Sequence, residues 1–115
     1  MWRKSRSRGR PARQAPAPVF AALGDHTRLL LVAKLCGGEP RSISQLARGS
    51  RLTRQAITKH LRVLESARIV RHVRAGRESL FEFNPEPIEE LKQYLDLVSA
   101  RWDEALSRLK SFVET

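Results

Sequence analysis

The stretch that decides the fold is residues 51–69, RLTRQAITKHLRVLESARI. Thr53 is placed to cap the first turn of a helix through its hydroxyl. Ile57, Leu61 and Leu64 follow at the i, i+4, i+7 spacing that puts apolar side chains on one helix face. The opposite side is polar and cationic: it carries Arg54, Gln55, Thr58, Lys59, Arg62 and Ser66. Such donors and acceptors match base edges and phosphates in a DNA major groove, so the stretch predicts a DNA-reading helix, although a solvated amphipathic helix would show the same pattern.

The residues before this helix predict the first half of a helix-turn-helix. Residues 41–43 are short enough for a small strand, and Ser44 is expected to cap a brief helix over Gln45 to Arg48. Residues 49–51, Gly-Ser-Arg, then form the turn. A short helix, a tight turn containing Gly and a second helix with a polar outer face are the parts of a helix-turn-helix.

Two further helices are predicted nearer the N-terminus. Residues 19–24, VFAALG, predict a short helix closed by Gly24, and Asp25 is placed to cap a second helix over His26 to Cys36. Because this second helix is apolar at positions 30, 31, 32 and 35, we expect it to lie at the centre of the core.

A β-hairpin and a long helix are predicted after the reading helix. Residues 69–85, IVRHVRAGRESLFEFNP, alternate apolar and polar residues on both sides of Ala75-Gly76, as a hairpin requires. The tip is expected to carry Arg71, Arg74 and Arg77 as a wing that reaches phosphates. After Pro85, a helix is predicted from residue 86 to about 113, and the fold class is therefore a mainly α winged helix-turn-helix.

The last helix carries a heptad seam, because its apolar residues recur at alternating spacings of three and four. They are Ile88, Leu91, Leu95, Val98, Trp102, Ala105, Leu109 and Phe112. A seam of more than three heptads argues for packing against another helix along its length. Because the chain has no other helix of that length, a second copy is the predicted partner, and a helix folded over its own core is the alternative. Two-fold symmetry would place two reading helices about 34 Å apart on DNA.

Length and charge limit the class of protein to which this chain can belong. The 115 residues allow one domain with a modest core. Residues 1–18 hold six Lys or Arg and no acid, whereas residues 85–115 hold four against seven acids. The basic parts favour a polyanion partner. We expect no membrane span, since the longest apolar run is LLLVA at 29–33. The single cysteine, Cys36, cannot form an internal disulfide, which suggests a reducing cytoplasm.

Residues 1–18 predict a disordered basic arm, since they contain almost nothing to bury. The arm either adds phosphate contacts or enters a minor groove, or it is a solubilising tail. The predicted domain therefore covers residues 19–115.

The sequence resembles the ArsR/SmtB family of winged-helix transcription repressors over about residues 19–113. The most specific matches are LGDHTR at 23–28, QAITKHLRVLE at 55–65 and WDEALSRLKSFV at 102–113. The resemblance implies a homodimer built from the first and last helices, which binds an operator on double-stranded DNA and releases it when an effector arrives. By position, the implied DNA-binding residues are Thr53, Arg54, Gln55, Thr58, Lys59, Arg62, Arg74 and Arg77. The predicted dimer interface comprises Ile88, Leu91, Leu95, Val98, Trp102, Leu109 and Phe112.

Departures from the family pattern argue against a metal cofactor. The family's best-known sensing motif places paired cysteines in the helix before the reading helix, and that segment here is SISQLARGS at 42–50. A second family site uses acid and histidine ligands on the terminal helices, but the last helix here contains no His and the first helix region has none before His26. We interpret His60 and His72 as structural residues and Cys36 as a small buried hydrophobe. A last departure is Arg68, where the family commonly has Gly; a left-handed conformation there would cost about 1 kcal/mol.

Other classes of function fit less well. The scattered Ser, His and acidic residues form no catalytic constellation, so we expect no enzymatic activity. A basic winged helix could instead coat the nucleoid without sequence preference or bind RNA, and composition does not separate these alternatives from a repressor of a pseudo-palindromic operator.

Overall fold

A computed structural model describes residues 16–114, and these form five helices and one three-stranded antiparallel sheet. In chain order the elements are α1 (Pro16–Leu23), α2 (His26–Leu35), β1 (Arg41–Ser42), α3 (Ile43–Ala47), α4 (Arg54–Ser66), β2 (Val70–Ala75), β3 (Glu78–Phe83) and α5 (Glu86–Glu114). The predicted winged helix-turn-helix is confirmed: α3 and α4 form the helix-turn-helix, and β2 and β3 form the wing. No helix among these residues is long and apolar enough to cross a membrane.

Helix α1 begins at Pro16, three residues before the predicted start at Val19. Pro16 and Pro18 fall within the first turn, where a backbone N–H has no intrahelical acceptor and its absence costs no hydrogen bond. Residues 16–18 therefore belong to the helix and not to the predicted basic arm. The rest of that arm, residues 1–15, lies outside the described residues.

Helix α2 starts at the predicted cap. The Asp25 carboxylate accepts a hydrogen bond from the Arg28 N–H at 3.1 Å, and this bond lowers the pKa of Asp25. Leu31, Val32 and Leu35 are buried, but Leu30 is 52 % exposed and does not join the core as expected. Cys36, one residue beyond the helix, is also exposed, so its interpretation as a small buried hydrophobe is wrong.

Helix α3 is capped by Ser42 and not by Ser44. The Ser42 hydroxyl accepts from the Gln45 N–H at 3.1 Å, while the Gln45 side-chain oxygen accepts from the Ser42 N–H at 2.8 Å. This reciprocal capping box satisfies two backbone donors at once. The residue three positions after Ser44 is Ala47, whose methyl group cannot accept the hydrogen bond that completes such a box, and the helix therefore starts earlier than predicted.

Helix α4 starts and ends with identifiable hydrogen bonds. The Thr53 hydroxyl accepts from the Ala56 N–H at 3.0 Å, as predicted. At the other end, the Arg68 N–H donates to the Glu65 carbonyl and the Ile69 N–H donates to the Leu64 carbonyl, at 2.8 and 2.9 Å. These are the two bonds of a Schellman motif, with Arg68 at the left-handed position (φ 65°). Helix α4 thus ends in a left-handed conformation at Arg68, where the resemblance led us to expect a glycine.

The sheet has the order β1-β3-β2. Ala75 pairs with Glu78 across a two-residue turn, and Gly76 at the first turn position has a φ of 66°, which glycine adopts at little cost. Arg71 pairs with Glu82 near the base of the hairpin, so it does not lie at the tip as predicted.

The core joins α1, α2, α3, α4, the base of the hairpin and the start of α5. Its largest fully buried side chains are Leu35, Leu46, Ile57, Leu61, Leu64, Ile69 and Val70. Helix α5 has 29 residues, or about 44 Å at 1.5 Å per residue. Only its first turns contribute to this core, through Leu91 and the adjacent Ile88. The rest of the helix extends beyond the core, which leaves most of its large apolar side chains exposed in the protomer.

Candidate nucleic-acid interface

The outer face of α4 presents its polar side chains along one side of an open groove. Because Ile57, Leu61 and Leu64 are buried against the core, the helical repeat turns the intervening residues outward. A groove of about 650 Å³ is lined by Ile43 of α3 and by Arg54, Gln55, Thr58, Lys59 and Arg62 of α4. The five predicted helix residues are therefore brought together on one surface, hereafter the α4 outer face.

Two members of the α4 outer face are held by local hydrogen bonds. The Arg54 guanidinium donates to the Ser44 hydroxyl at 2.9 Å, which ties the first turn of α4 to α3. The Thr58 hydroxyl donates to the Arg54 carbonyl at 2.8 Å, so its oxygen remains an acceptor toward a ligand. Thr53 uses its oxygen as the helix cap and keeps its hydrogen free to donate.

The other three members keep all their donors. Within residues 16–114, the side chains of Gln55, Lys59 and Arg62 form no hydrogen bond or ion pair with the rest of the protein. Gln can pair bidentately with adenine, and Arg or Lys can donate to the two major-groove acceptors of guanine. Such donors without intramolecular partners can meet base edges without first breaking an internal bond.

Cations beyond α4 divide into paired and unpaired groups. Arg68 and Arg71 are neutralised by carboxylates, the first by Glu86 at 2.9 Å and the second by Glu82 at 3.1 Å. Arg74 and Arg77, at the far end of the hairpin, have no such partner among the described residues. The α4 outer face and the wing tip therefore both carry cations without a carboxylate partner, as a phosphate-binding surface would require.

Two residues near this surface were not identified from the sequence. Ile43 lines the same groove, and Ser44 holds Arg54 through its hydroxyl. The sequence pattern assigned Ser44 to the cap of α3 and left Ile43 in a strand. Once Ser42 is recognised as the cap of a box with Gln45, both residues fall in the first turn of α3, beside the start of α4.

A second exposed surface runs along α5. Of the predicted interface residues, Leu91 is buried in the protomer's own core and Ile88 packs against that core. Val98 is half-buried, and the remaining positions are exposed: Leu95, Trp102, Leu109 and Phe112. Trp102 is 63 % exposed and Phe112 is 80 % exposed. An apolar stripe of this length on one side of a helix is typical of a surface that contacts another protein.

The histidines and the cysteine do not form a metal site. Within residues 16–114, no three His, Cys, Asp or Glu side chains cluster so that they could hold a metal ion. His60 lies 3.4 Å from an Arg28 guanidinium nitrogen and 3.9 Å from the Asp25 carboxylate, and His72 stacks against Phe81 with ring centroids 4.9 Å apart. Helix α3 carries no cysteine, so the residues present do not fit the thiolate metal site known in the family.

Comparison with known proteins identifies relatives with the same architecture. The helix-turn-helix domain family matches residues 23–73. The chain is 30 % identical over 102 residues to the HTH-type transcriptional regulator Rv2034 from Mycobacterium tuberculosis, which covers 89 % of this chain and 92 % of that protein. The structure of an ArsR-like transcriptional regulator from Rhodococcus sp. RHA1 superposes with a TM-score of 0.76 at 34 % identity, covering 87 % of this chain and 93 % of that one.

A solved structure with lower sequence identity shares the fold. The solution structure of the homodimeric winged helix-turn-helix DNA-binding domain of Mb0332 from Mycobacterium bovis gives a TM-score of 0.59 at 22 % identity. The match covers 94 % of this chain and 95 % of the Mb0332 domain. The order of helices and the wing are therefore common to chains whose sequences have diverged widely.

Proposed function

The chain belongs to the ArsR family of winged helix-turn-helix transcriptional regulators, and we propose that it is a homodimeric repressor that blocks a pseudo-palindromic operator. In this proposal the α4 outer face reads bases in the major groove, and the wing tip contacts the phosphate backbone. Repression follows from occupancy, because a dimer bound across a promoter excludes the transcription machinery from the same DNA.

The observation that carries the proposal is the combination of free donors and local positive charge on the α4 outer face. Gln55, Lys59 and Arg62 lie on one side of the helix and have no intramolecular partners within the described residues. In this arrangement, Gln55 and Arg62 would contact base edges, since their planar groups can form bidentate pairs. The single ammonium group of Lys59 suits a phosphate oxygen.

The remaining α4 residues would contribute to position more than to sequence readout. Arg54 is anchored to Ser44 and stands at the helix start, where its charge favours a nearby phosphate. Thr53 and Thr58 each use part of their hydroxyl within the helix, which leaves one donor and one acceptor for the backbone of the DNA. Arg74 and Arg77 would add contacts from the wing.

The dimer is proposed from the uncovered stripe of α5. A stripe that includes Trp102 and Leu109 in a lone protomer exposes apolar area that costs about 25 cal/mol for each Å² kept in water. Pairing the stripe with its copy would remove this cost and place the two reading helices symmetrically. The fold relative Mb0332 is described as homodimeric, which supports the same arrangement here.

Footprinting on DNA from the region upstream of the protein's own gene tests the proposal. A repressor should protect one short pseudo-palindrome and bind it about 10³-fold or more tightly than random DNA of equal length and composition. The same measurement on RNA serves as a control. Equal affinity for the protected site and for random DNA would contradict the repressor and favour a nucleoid-coating protein.

A further inference from the structure

A recessed cavity of about 650 Å³ lies behind the start of α4, away from the residues proposed to read DNA. One side is formed by the α2 positions 26, 30 and 34, which follow one another at a spacing of four along one helix face. The other sides come from the turn at 49–52 and from the buried faces of α3 and α4. The volume is within the range of about 300–1,000 Å³ that is usual for small organic ligands.

The floor of this cavity is apolar and incompletely covered. Leu31, Leu46 and Ile57 are buried core residues that also line the cavity. Leu30 lies on the same wall and keeps 52 % of its surface exposed, although its neighbour Leu31 is only 3 % exposed. A leucine that is half open at the edge of a cavity offers apolar area that a ligand's hydrocarbon body would cover.

The rim of the cavity is cationic. Lys34 and Arg51 line it together with the polar residues His26, Thr27 and Ser50, and no carboxylate is among the lining residues. The Lys34 ammonium donates one hydrogen bond to the Leu46 carbonyl at 3.2 Å, which holds it at the wall with two hydrogens left. Such a rim favours an anionic group on the occupant.

We propose that this cavity binds an amphipathic organic anion, with a carboxylate at the Lys34 and Arg51 rim and an aliphatic body over Leu30. The charge of the rim disfavours the chain's own segment at residues 1–15, which is rich in Lys and Arg. A packed helix from a second copy is about 10 Å wide and does not fit a recess of this size. Charge therefore disfavours the first segment and width disfavours the second, whereas a small acid fits both the cations and the size of the cavity.

Binding would be coupled to DNA through the cavity residues Leu52 and Ile57, which lie at and just before the start of α4, and this step rests on the proposed function. Leu52 precedes the Thr53 cap of α4, and Ile57 anchors the buried face of the same helix. An acid that packs against both side chains would favour one position of α4 relative to α2. Because a ligand shifts an equilibrium only by its different affinity for two states, the effect on DNA should appear as a change in operator affinity.

Titration calorimetry of the DNA-free full chain with octanoate tests the site. We expect saturable binding of one octanoate for each chain, and weakening by about tenfold for octan-1-ol, which lacks the charge. Leu30→Gln and Arg51→Gln should each weaken octanoate binding by about tenfold. Leu29→Gln is the matched control, because Leu29 is similarly exposed on α2 but does not line the cavity.

The possible results of these experiments distinguish the octanoate site itself from its effect on DNA binding. Absence of saturable octanoate binding, or equal weakening by Leu29→Gln and Leu30→Gln, would overturn the site. If octanoate binds and its affinity depends on Leu30, fluorescence anisotropy with labelled operator then measures the coupling, and an operator affinity that does not change with octanoate overturns only that step. A chain that binds octanoate but shows no preferred DNA sequence would contradict the proposed function and leave the site standing.

Discussion

The α4 outer face and the outer stretch of α5 are both exposed in the protomer, yet their chemistry is opposite. On α4, the side chains directed away from the core are Gln55, Lys59 and Arg62, which water solvates well. On α5, they include Trp102 and Leu109, which water solvates poorly. Exposure of polar donors without partners indicates a charged or polar ligand, whereas exposure of an apolar stripe indicates another protein surface.

The largest expected effect comes from placing a charge in the apolar stripe. Trp102→Asp should dissociate the proposed dimer, because an unpaired carboxylate in a buried interface costs several kcal/mol. Since Trp102 is 63 % exposed in the protomer, the protomer fold should survive, as circular dichroism would show. Sedimentation velocity should detect a monomer. In a gel shift, this variant should no longer bind two half-sites of the operator together.

The control for this substitution is Ala100→Asp, which places the same charge on the opposite side of α5. Ala100 is exposed and lies off the seam formed by Val98 and Trp102. The Ala100→Asp protein should remain dimeric. A Trp102→Asp protein that stays dimeric would show that this stripe is not the interface. The exposed apolar stripe of α5 would then not indicate a protein contact, in contrast to what we infer here.

The next effect concerns the α4 outer face. Gln55→Ala or Arg62→Ala should cost about 1–3 kcal/mol of operator binding and relax preference at particular base pairs. Lys59→Ala should instead weaken operator and random DNA by similar factors if it meets a phosphate. Binding to a set of operators with single base changes measures the difference. Equal losses on operator and random DNA for all three variants would argue against base readout.

A smaller effect is expected where α4 joins the wing. Arg68→Gly should raise the free energy of unfolding by about 1 kcal/mol or less, because glycine removes the left-handed strain but also loses the exposed ion pair with Glu86. Glu86→Gln removes the ion pair and keeps Arg68, and it should lower the free energy of unfolding by no more than about 1 kcal/mol. Urea unfolding measures both variants, and a marked loss of stability in Arg68→Gly would mean that the guanidinium contributes more than the strain costs.

The smallest effect is expected from metals. Zinc, cadmium or arsenite at stoichiometric concentration should leave operator binding unchanged, because the segment before α4 has no thiolate and the described residues hold no cluster of three ligands. A gel-shift titration with each ion checks this. Release of DNA by metal, abolished by Cys36→Ser, would instead show a site completed by the exposed Cys36.

The order and type of the elements could be predicted from the sequence because local patterns determine them. Apolar residues at helical spacing, with Thr53 before them, placed α4 and its cap, and alternation around Gly76 placed the wing. These predictions are confirmed, together with the family. Errors occurred where two local solutions competed: Ser42 and Ser44 can both cap a helix, and only the reciprocal bond with Gln45 distinguishes them.

Burial and pairing were decided by the tertiary structure. Helical periodicity could not show that Leu30 and Cys36 stay exposed, because α2 packs only the face with Leu31 and Leu35 against the core. It also could not show that Leu91 belongs to the protomer's core while Trp102 does not, since both occupy the same seam and only the extent of the core along α5 separates them.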